Sequence, residues 1–207
     1  MAHVLELYPV TDDPPPEARS RRIRQASRAL SLLFGAILAA EILFVAGLGL
    51  AFLAPFAGDH LLIGPTGMLL NLGPGPPLHA AGPAGYLPVA GLPVVQRLAH
   101  VVMGFVVFIP SLMIVWNLRA LFGLYGRGVV FAADNARLIK HIGVWLVLTA
   151  LGPLVSVSVL SALHLVVDHA WFHGDTIPKI VLGAVVYVIA MVMEVGREIE
   201  EEQGQFV

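Results

Sequence analysis

The chain has 207 residues, of which 57% are hydrophobic and 13% are charged, and its formal net charge is −2 at pH 7. This composition is far more apolar than that of soluble domains, so it predicts a single domain that lies mostly inside a lipid bilayer. The chain contains no Cys, which excludes disulfides, thiolate metal sites and thiol catalysis.

The first segment is a polar arm that ends in basic residues. Residues 1–16 finish with three consecutive prolines, which favour an extended chain, and residues 17–28 carry five Arg and suit a short helix. Basic residues beside an apolar run keep that side in the cytoplasm and attract anionic lipids. We therefore predict a cytoplasmic arm over residues 1–28, acting as a topology anchor or as a lipid sensor, followed by a membrane domain over residues 29–207.

Four apolar runs follow, and each meets or approaches the length that a helix needs to cross a hydrocarbon core about 30 Å thick. Ten of the twelve Lys and Arg residues lie before the first run, between the second and third, or after the fourth. Short basic segments stay in the cytoplasm, and backbone in lipid must be helical. The predicted fold is an all-α membrane protein, a bundle of four transmembrane helices with cytoplasmic termini. Its predicted spans cover residues 29–57, 98–118, 142–167 and 177–195.

One acidic residue, Glu41, lies in the middle of the first run. A charge at the bilayer centre costs about 2.5–3.5 kcal/mol on insertion scales, so we expect Glu41 to face other helices and to have a hydrogen-bond partner. Ser111, Ser156 and Tyr187 are predicted at similar depth. Three interpretations stay open: a neutral carboxyl that holds helices together, a proton or cation site, or a contact within an oligomer.

The connection over residues 58–96 holds eight Gly and seven Pro and is nevertheless apolar. Gly and Pro interrupt long regular structure, so we predict an irregular segment that lies on the outer face of the bundle or dips into the interface. A structural lid and a re-entrant loop that gates a pore or a ligand both fit, because long loops are often functional.

Proline interrupts the second span at Pro110 and the third at Pro153, which follows Gly152. Each Pro lacks an N–H and displaces the carbonyl four residues earlier, so the carbonyls of Val106 and Thr149 are expected to be exposed. Such breaks serve helix packing, or they build an ion or solute site near the midplane.

The segment between the second and third spans contains a predicted turn and a distinctive set of residues. Gly126 and Gly128 predict the turn, and Asp134 or Asn135 is placed to cap the following helix. The set consists of Leu124-Tyr125, Arg127-Gly128, Phe131, Asn135, Leu138 and Ile142-Gly143.

This set resembles the uncharacterised bacterial YoaS-like membrane proteins, a family with a domain of unknown function. The acidic ending from Glu194 to Val207 is similar to that family's tail. The resemblance implies a four-helix, multi-pass protein of the bacterial inner membrane, often encoded beside a small helix-turn-helix regulator, and it supplies no catalytic residues. We expect a partner to contact Arg127, Asn135, Arg137 and Lys140.

Six of the eight His residues lie on the predicted outer side. His164 and Asp168, like His169 and His173, are four residues apart, so each pair shares a helix face. Together with His100 these residues suit zinc or copper; His100 and His164 would instead suit haem, and His titration near neutral pH suits a pH sensor. Solvated or interfacial His is the simplest interpretation, so no cofactor is expected, with zinc or haem as the alternatives.

The leading hypothesis is a regulatory or interaction protein without enzymatic activity. It would sense the outer side or the bilayer and contact a cytoplasmic or membrane partner. The expected partners are the lipid bilayer, further copies of the chain or another protein of a membrane complex, and a cytoplasmic helix-turn-helix regulator. A proton-conducting, ion-conducting or solute-transporting oligomer built around Glu41 is the first alternative, and a haem- or metal-binding membrane protein is the second. Basic residues without interleaved aromatics give no case for direct nucleic-acid binding.

Overall fold

The fold is an all-α bundle of four helices, with one small sheet in the connection between the first and second helices. A computed structural model describes residues 16–54, 61–64, 67–70, 87–129, 132–163 and 176–204. The helices are α1 (Pro16–Leu53), α2 (Val94–Gly126), α3 (Ala133–Ala162) and α4 (Thr176–Gly204). All four are long and apolar enough to cross a membrane, so the predicted four-helix membrane fold is confirmed, while the orientation of the termini stays a prediction.

The helices extend beyond the apolar runs at the end where α1 begins. The Arg-bearing segment and the first span form one continuous helix from Pro16 to Leu53, rather than a short helix followed by a separate span. Proline suits the first turn of a helix, where its missing N–H has no intrahelical acceptor. At the same end, α2 and α3 are separated only by residues 127–132.

The helices pack in chain order, with α1 against α2, α2 against α3, and α3 against α4. A close backbone approach occurs between α3 and α4 at Gly143 and Gly183. A Cβ atom on Gly143 would lie 2.8 Å from the Gly183 carbonyl oxygen, and one on Gly183 would lie 2.7 Å from the Gly143 carbonyl oxygen. Glycine at both positions therefore allows the two backbones to touch, as small residues commonly do between membrane helices.

A second close approach joins α2 to α3 beside a proline. Pro110 is buried inside α2, and because it has no N–H, the carbonyl of Val106 has no intrahelical donor. A Cβ atom on Gly152 would lie 2.9 Å from the Val106 carbonyl oxygen. Gly152 thus lets α3 cover the carbonyl that was expected to be exposed, which favours a packing role for this break.

Three short strands form part of the long connection between α1 and α2. They are β1 (Leu61–Gly64), β2 (Gly67–Leu70) and β3 (Leu87–Pro88), which form an antiparallel sheet in the order β2-β1-β3. Leu61 packs with Phe52 and Val89 in a small apolar core. The described strands therefore lie against the end of the bundle where α1 ends, although the sequence indicated irregular structure here.

Candidate functional site

A cavity of about 500 Å³ lies between α1, α2 and α3 at the end of the bundle where α1 begins. We call this end, which carries Arg28, Arg119, Arg127 and Arg137, the Arg-rich end. We call the opening the arginine cavity, and its wall includes Ser31, Trp116, Arg119, Arg127, Asp134 and Arg137.

Contacts between α1 and α2 form one side of the arginine cavity. The Ser31 hydroxyl donates a hydrogen bond to the Arg119 carbonyl oxygen over 3.2 Å, and Arg28 Nε donates to the Gly126 carbonyl oxygen over 3.3 Å. A Cβ atom on Gly35 would lie 3.3 Å from Arg119 Nε. The Arg119 side chain therefore crosses α1 at a glycine, which leaves room for it.

The connection from α2 to α3 fixes the other side of the cavity. Gly128 has φ +84°, a left-handed conformation that glycine adopts without steric cost. Asn135 is fully buried, and its Nδ2 donates to the Val129 carbonyl oxygen over 3.0 Å. The predicted helix cap at Asp134 or Asn135 is wrong, because α3 begins at Ala133 without a side-chain cap. Asn135 instead joins the first turn of α3 to Val129 in the connection.

The four residues predicted to contact a partner have different surroundings. Arg127 and Arg137 are exposed and line the cavity, whereas Asn135 is buried and supports the connection. Lys140 Nζ lies 3.7 Å from Glu194 Oε2 and 5.5 Å from the centroid of the Tyr187 ring. A ligand at the cavity would therefore meet the two arginines directly.

The cavity carries more positive than negative charge. Arg137 Nη1 lies 3.8 Å from Asp134 Oδ1, but both side chains are about two-thirds exposed (68% and 66%), so this ion pair is weak. Within the described part of the chain, the guanidinium groups of Arg119 and Arg127 have no hydrogen bond or ion pair. These two groups are therefore available to an anion.

Glu41 lies on α1 beside α2, far along the bundle from the arginine cavity. The Ser111 hydroxyl donates to Glu41 Oε1 over 2.5 Å. Glu41 Oε2 is buried and has no partner among the described residues. The carboxyl group thus has one satisfied and one unsatisfied oxygen near the middle of α2, which is uncommon for buried polar atoms.

Ser156 and Tyr187 do not join the Glu41–Ser111 pair. Tyr187 packs against Gly143, where its Cβ would be 3.0 Å from an added Cβ atom, and it lies near Lys140. Ser156 is buried further along α3, about 20 Å from Gly143 along the helix axis at 1.5 Å per residue. Ser156 and Tyr187 therefore lie at different levels of the bundle.

His100 lies at the end of the bundle opposite the arginine cavity. Its Nδ1 is 2.8 Å from the Gln96 carbonyl oxygen, which only accepts, so Nδ1 carries a proton. Its Nε2 is buried without a partner among the described residues, and the ring stacks on Phe52 at a centroid distance of 5.8 Å. No group of three potential ligands occurs within the described ranges. The other candidate ligands, His164, Asp168, His169 and His173, lie outside them.

Sequence reasoning missed Trp116 and Arg119 as members of a site. Arg119 directly follows the second apolar run, and Trp116 precedes it by three residues, so both lie on one helix face. Trp and Arg at the end of a span are typical of the membrane interface, where each side chain has an apolar and a polar part. A Trp and an Arg three residues apart at the end of a span could therefore have identified this part of the site from the sequence.

Four apolar helices with charge concentrated at one end define a multi-pass membrane protein. Residues 80–205 match the family model described as Protein of unknown function (DUF2975). The match covers more than half of the chain, so the chain belongs to this family. The prediction of an uncharacterised family is confirmed, and the YoaS-like name stays a prediction. No curated protein and no solved structure matches the chain.

Proposed function

We propose that this protein is a regulatory or interaction protein of the bacterial inner membrane, without enzymatic activity, that senses the bilayer and contacts a partner through its Arg-rich end. The arginine cavity carries this proposal. Arg127, the first residue after α2, and Arg137, near the start of α3, are both exposed, and the buried side chain of Asn135 ties Val129 to the start of α3. A basic surface held in one conformation suits recognition, since little ordering is needed on binding.

The chemistry at the Arg-rich end favours binding over catalysis. Guanidinium groups stay protonated in proteins and so do not serve as acid or base at neutral pH. Ser31, the one described hydroxyl in the cavity wall, already donates to the Arg119 carbonyl oxygen. Arg119, Arg127 and Arg137 can hold an anionic group in place, and they offer it no nucleophile.

The partner that we propose is a protein with an acidic surface, in the cytoplasm or in the membrane. Complementary charge would steer such a partner to the Arg-rich end and fix its orientation. The rest of the described surface is largely apolar, with many exposed Leu, Ile, Val and Phe side chains that suit contact with lipid.

Photocrosslinking in native membranes tests this proposal. A photoreactive amino acid at Val129, beside the cavity, should capture a specific partner, and one at Val95, which is 76% exposed at the opposite end, should not. Arg127→Glu with Arg137→Glu should abolish the crosslink, and reversing acidic residues at the crosslinked site of the partner should restore it. A crosslink that is the same at both positions, or that survives both charge reversals, contradicts the proposal.

A second candidate function is proton or cation conduction by an oligomer built around Glu41. Glu41 Oε2 favours it, because this oxygen is buried and has no partner among the described residues, and a carboxyl group in the membrane can serve a proton or cation pathway. Purified protein in liposomes with a pH-sensitive dye should then conduct protons, with loss of flux in Glu41→Gln and no loss in the control Glu194→Gln. Equal flux in wild type and Glu41→Gln contradicts this function.

A further inference from the structure

Three properties of the arginine cavity together specify a ligand: its charge, its position along the membrane normal and its apolar wall. We infer that it binds the phosphate-bearing headgroup of an anionic phospholipid, with the glycerol and upper acyl region beside Trp116. This inference rests on the proposed sensing of the bilayer, to which it gives a molecular ligand. Three observations carry it: the position of Arg119, the lack of partners for the Arg119 and Arg127 guanidinium groups among the described residues, and the exposure of Trp116.

The depth of Arg119 matches the boundary between hydrocarbon and headgroups. Glu41 lies in the middle of the first apolar run and pairs with Ser111 on α2. At 1.5 Å per residue, Arg119 lies about 12 Å further along α2 than Ser111, while half of the hydrocarbon thickness is about 15 Å. The Arg119 side chain lies beside Gly35 at about this level, so a lipid phosphate that enters the cavity from the headgroup side would meet its guanidinium group.

The charge of the cavity suits a phosphate. Arg119 and Arg127 have no hydrogen bond or ion pair within the described ranges, and Arg137 has only its exposed contact with Asp134. Planar guanidinium groups form paired hydrogen bonds with phosphate oxygens and are less strongly hydrated than ammonium groups. Three of them around one opening would hold a phosphate group from several sides.

The apolar part of the wall favours a lipid over a free phosphate. Trp116 is 55% exposed, and Leu124 and Leu138 also line the cavity. Trp116 lies about one helical turn deeper in the predicted membrane than Arg119, so the wall changes from charged to apolar in the direction of the acyl chains. A ligand with a phosphate head and an apolar tail contacts both parts, whereas a soluble phosphate contacts one.

Trp116 itself reports on occupancy of the cavity. The chain has three Trp, so Trp145→Phe with Trp171→Phe leaves Trp116 as the single fluorophore of the full-length protein. This variant is placed in nanodiscs of zwitterionic phospholipid that contain a minor share of phospholipid brominated on its acyl chains, with either an anionic or a zwitterionic headgroup. Bromine quenches tryptophan on contact, so preferential binding appears as stronger quenching by the anionic lipid.

We expect the anionic lipid to quench Trp116 more than the zwitterionic lipid at equal mole fraction. Arg119→Gln or Arg137→Gln should each reduce this preference about fivefold, the effect of removing one charge near an anionic surface. Arg22→Gln is the matched control, since Arg22 is exposed on α1 at the same end but does not line the cavity. It should reduce the preference clearly less than either cavity variant, because it removes a surface charge but no cavity ligand.

Three results would overturn the inference: equal quenching by both lipids, a preference unchanged in Arg119→Gln, or complete displacement of the lipid by soluble glycerol phosphate. Native mass spectrometry of the wild-type chain with mixed lipids gives the same test if the single-Trp variant fails to fold. A wild-type chain that shows no lipid preference but gives the specific Val129 crosslink refutes this inference alone. A wild-type chain that shows the lipid preference but gives no specific Val129 crosslink refutes the proposed partner function alone.

Discussion

Replacement of Gly143 by Ala should weaken the contact between α3 and α4. The added Cβ would lie 2.8 Å from both the Gly183 carbonyl oxygen and the Tyr187 amide nitrogen, whereas ordinary contacts begin near 3.4 Å. Both neighbours are backbone atoms that cannot rotate away, so the helices must separate by about 0.6 Å here. Overpacking of this kind costs about 1–3 kcal/mol, and we expect Gly143→Ala to lower the free energy of unfolding by that amount.

Gly196→Ala is the matched control, because it makes the same chemical change in α4 where nothing lies within 4 Å of the added Cβ. Alanine is the better helix former by up to about 1 kcal/mol, so this variant should be neutral or more stable. Equilibrium unfolding of both variants in detergent micelles, followed by tryptophan fluorescence, gives the comparison. Shifts of the same sign and size in the two variants would show that the glycine contact does not limit the packing of α3 against α4.

Three further predictions concern the Glu41–Ser111 pair, the orientation of the chain in the membrane and the histidines. Ser111→Ala should cost about 0.6–1.7 kcal/mol of unfolding free energy, the range for membrane hydrogen bonds, while Glu41→Gln should fold normally; equal stability of Ser111→Ala and wild type would contradict the pairing. A reporter fused after Val207 should be active in the cytoplasm and one near Gly82 outside, and the reverse at either site would refute the topology. Zinc should leave the melting temperature unchanged, and a rise that disappears in His100→Ala would instead establish a metal site.

Hydropathy was enough to predict the four helices, because each must bury about 20 apolar residues to cross the hydrocarbon. Hydropathy could not predict the residues at which these helices begin and end. The helical hydrogen bonds of α1 continue through the Arg-bearing segment back to Pro16, beyond the part that lipid must cover. The sheet could not be predicted either, since the Gly and Pro content indicates only local irregularity. Its strands depend on the burial of Leu61 against Phe52, a contact distant in sequence.

The candidate site was predictable only in part. Glu41 was evident because a carboxyl group in a long apolar run is costly, and Ser111 lies within reach of it. The different levels of Ser156 and Tyr187 depend on how far neighbouring helices are shifted along their axes, which composition does not encode. The arginine cavity depends on the same kind of information, because Arg119 and Arg137 come from different helices that the short connection brings together.

The continuity of α1 has a mechanical consequence. This helix has 38 residues and no internal proline after Pro16, so it is about 57 Å long, against about 30 Å of hydrocarbon. Residues 16–28 add about 20 Å of helix before the first apolar run begins, and no proline separates this projecting part from the segment that carries Glu41. Because the projecting part and the embedded part belong to one helix, a tilt of the projecting part would move the segment that carries Glu41 with it.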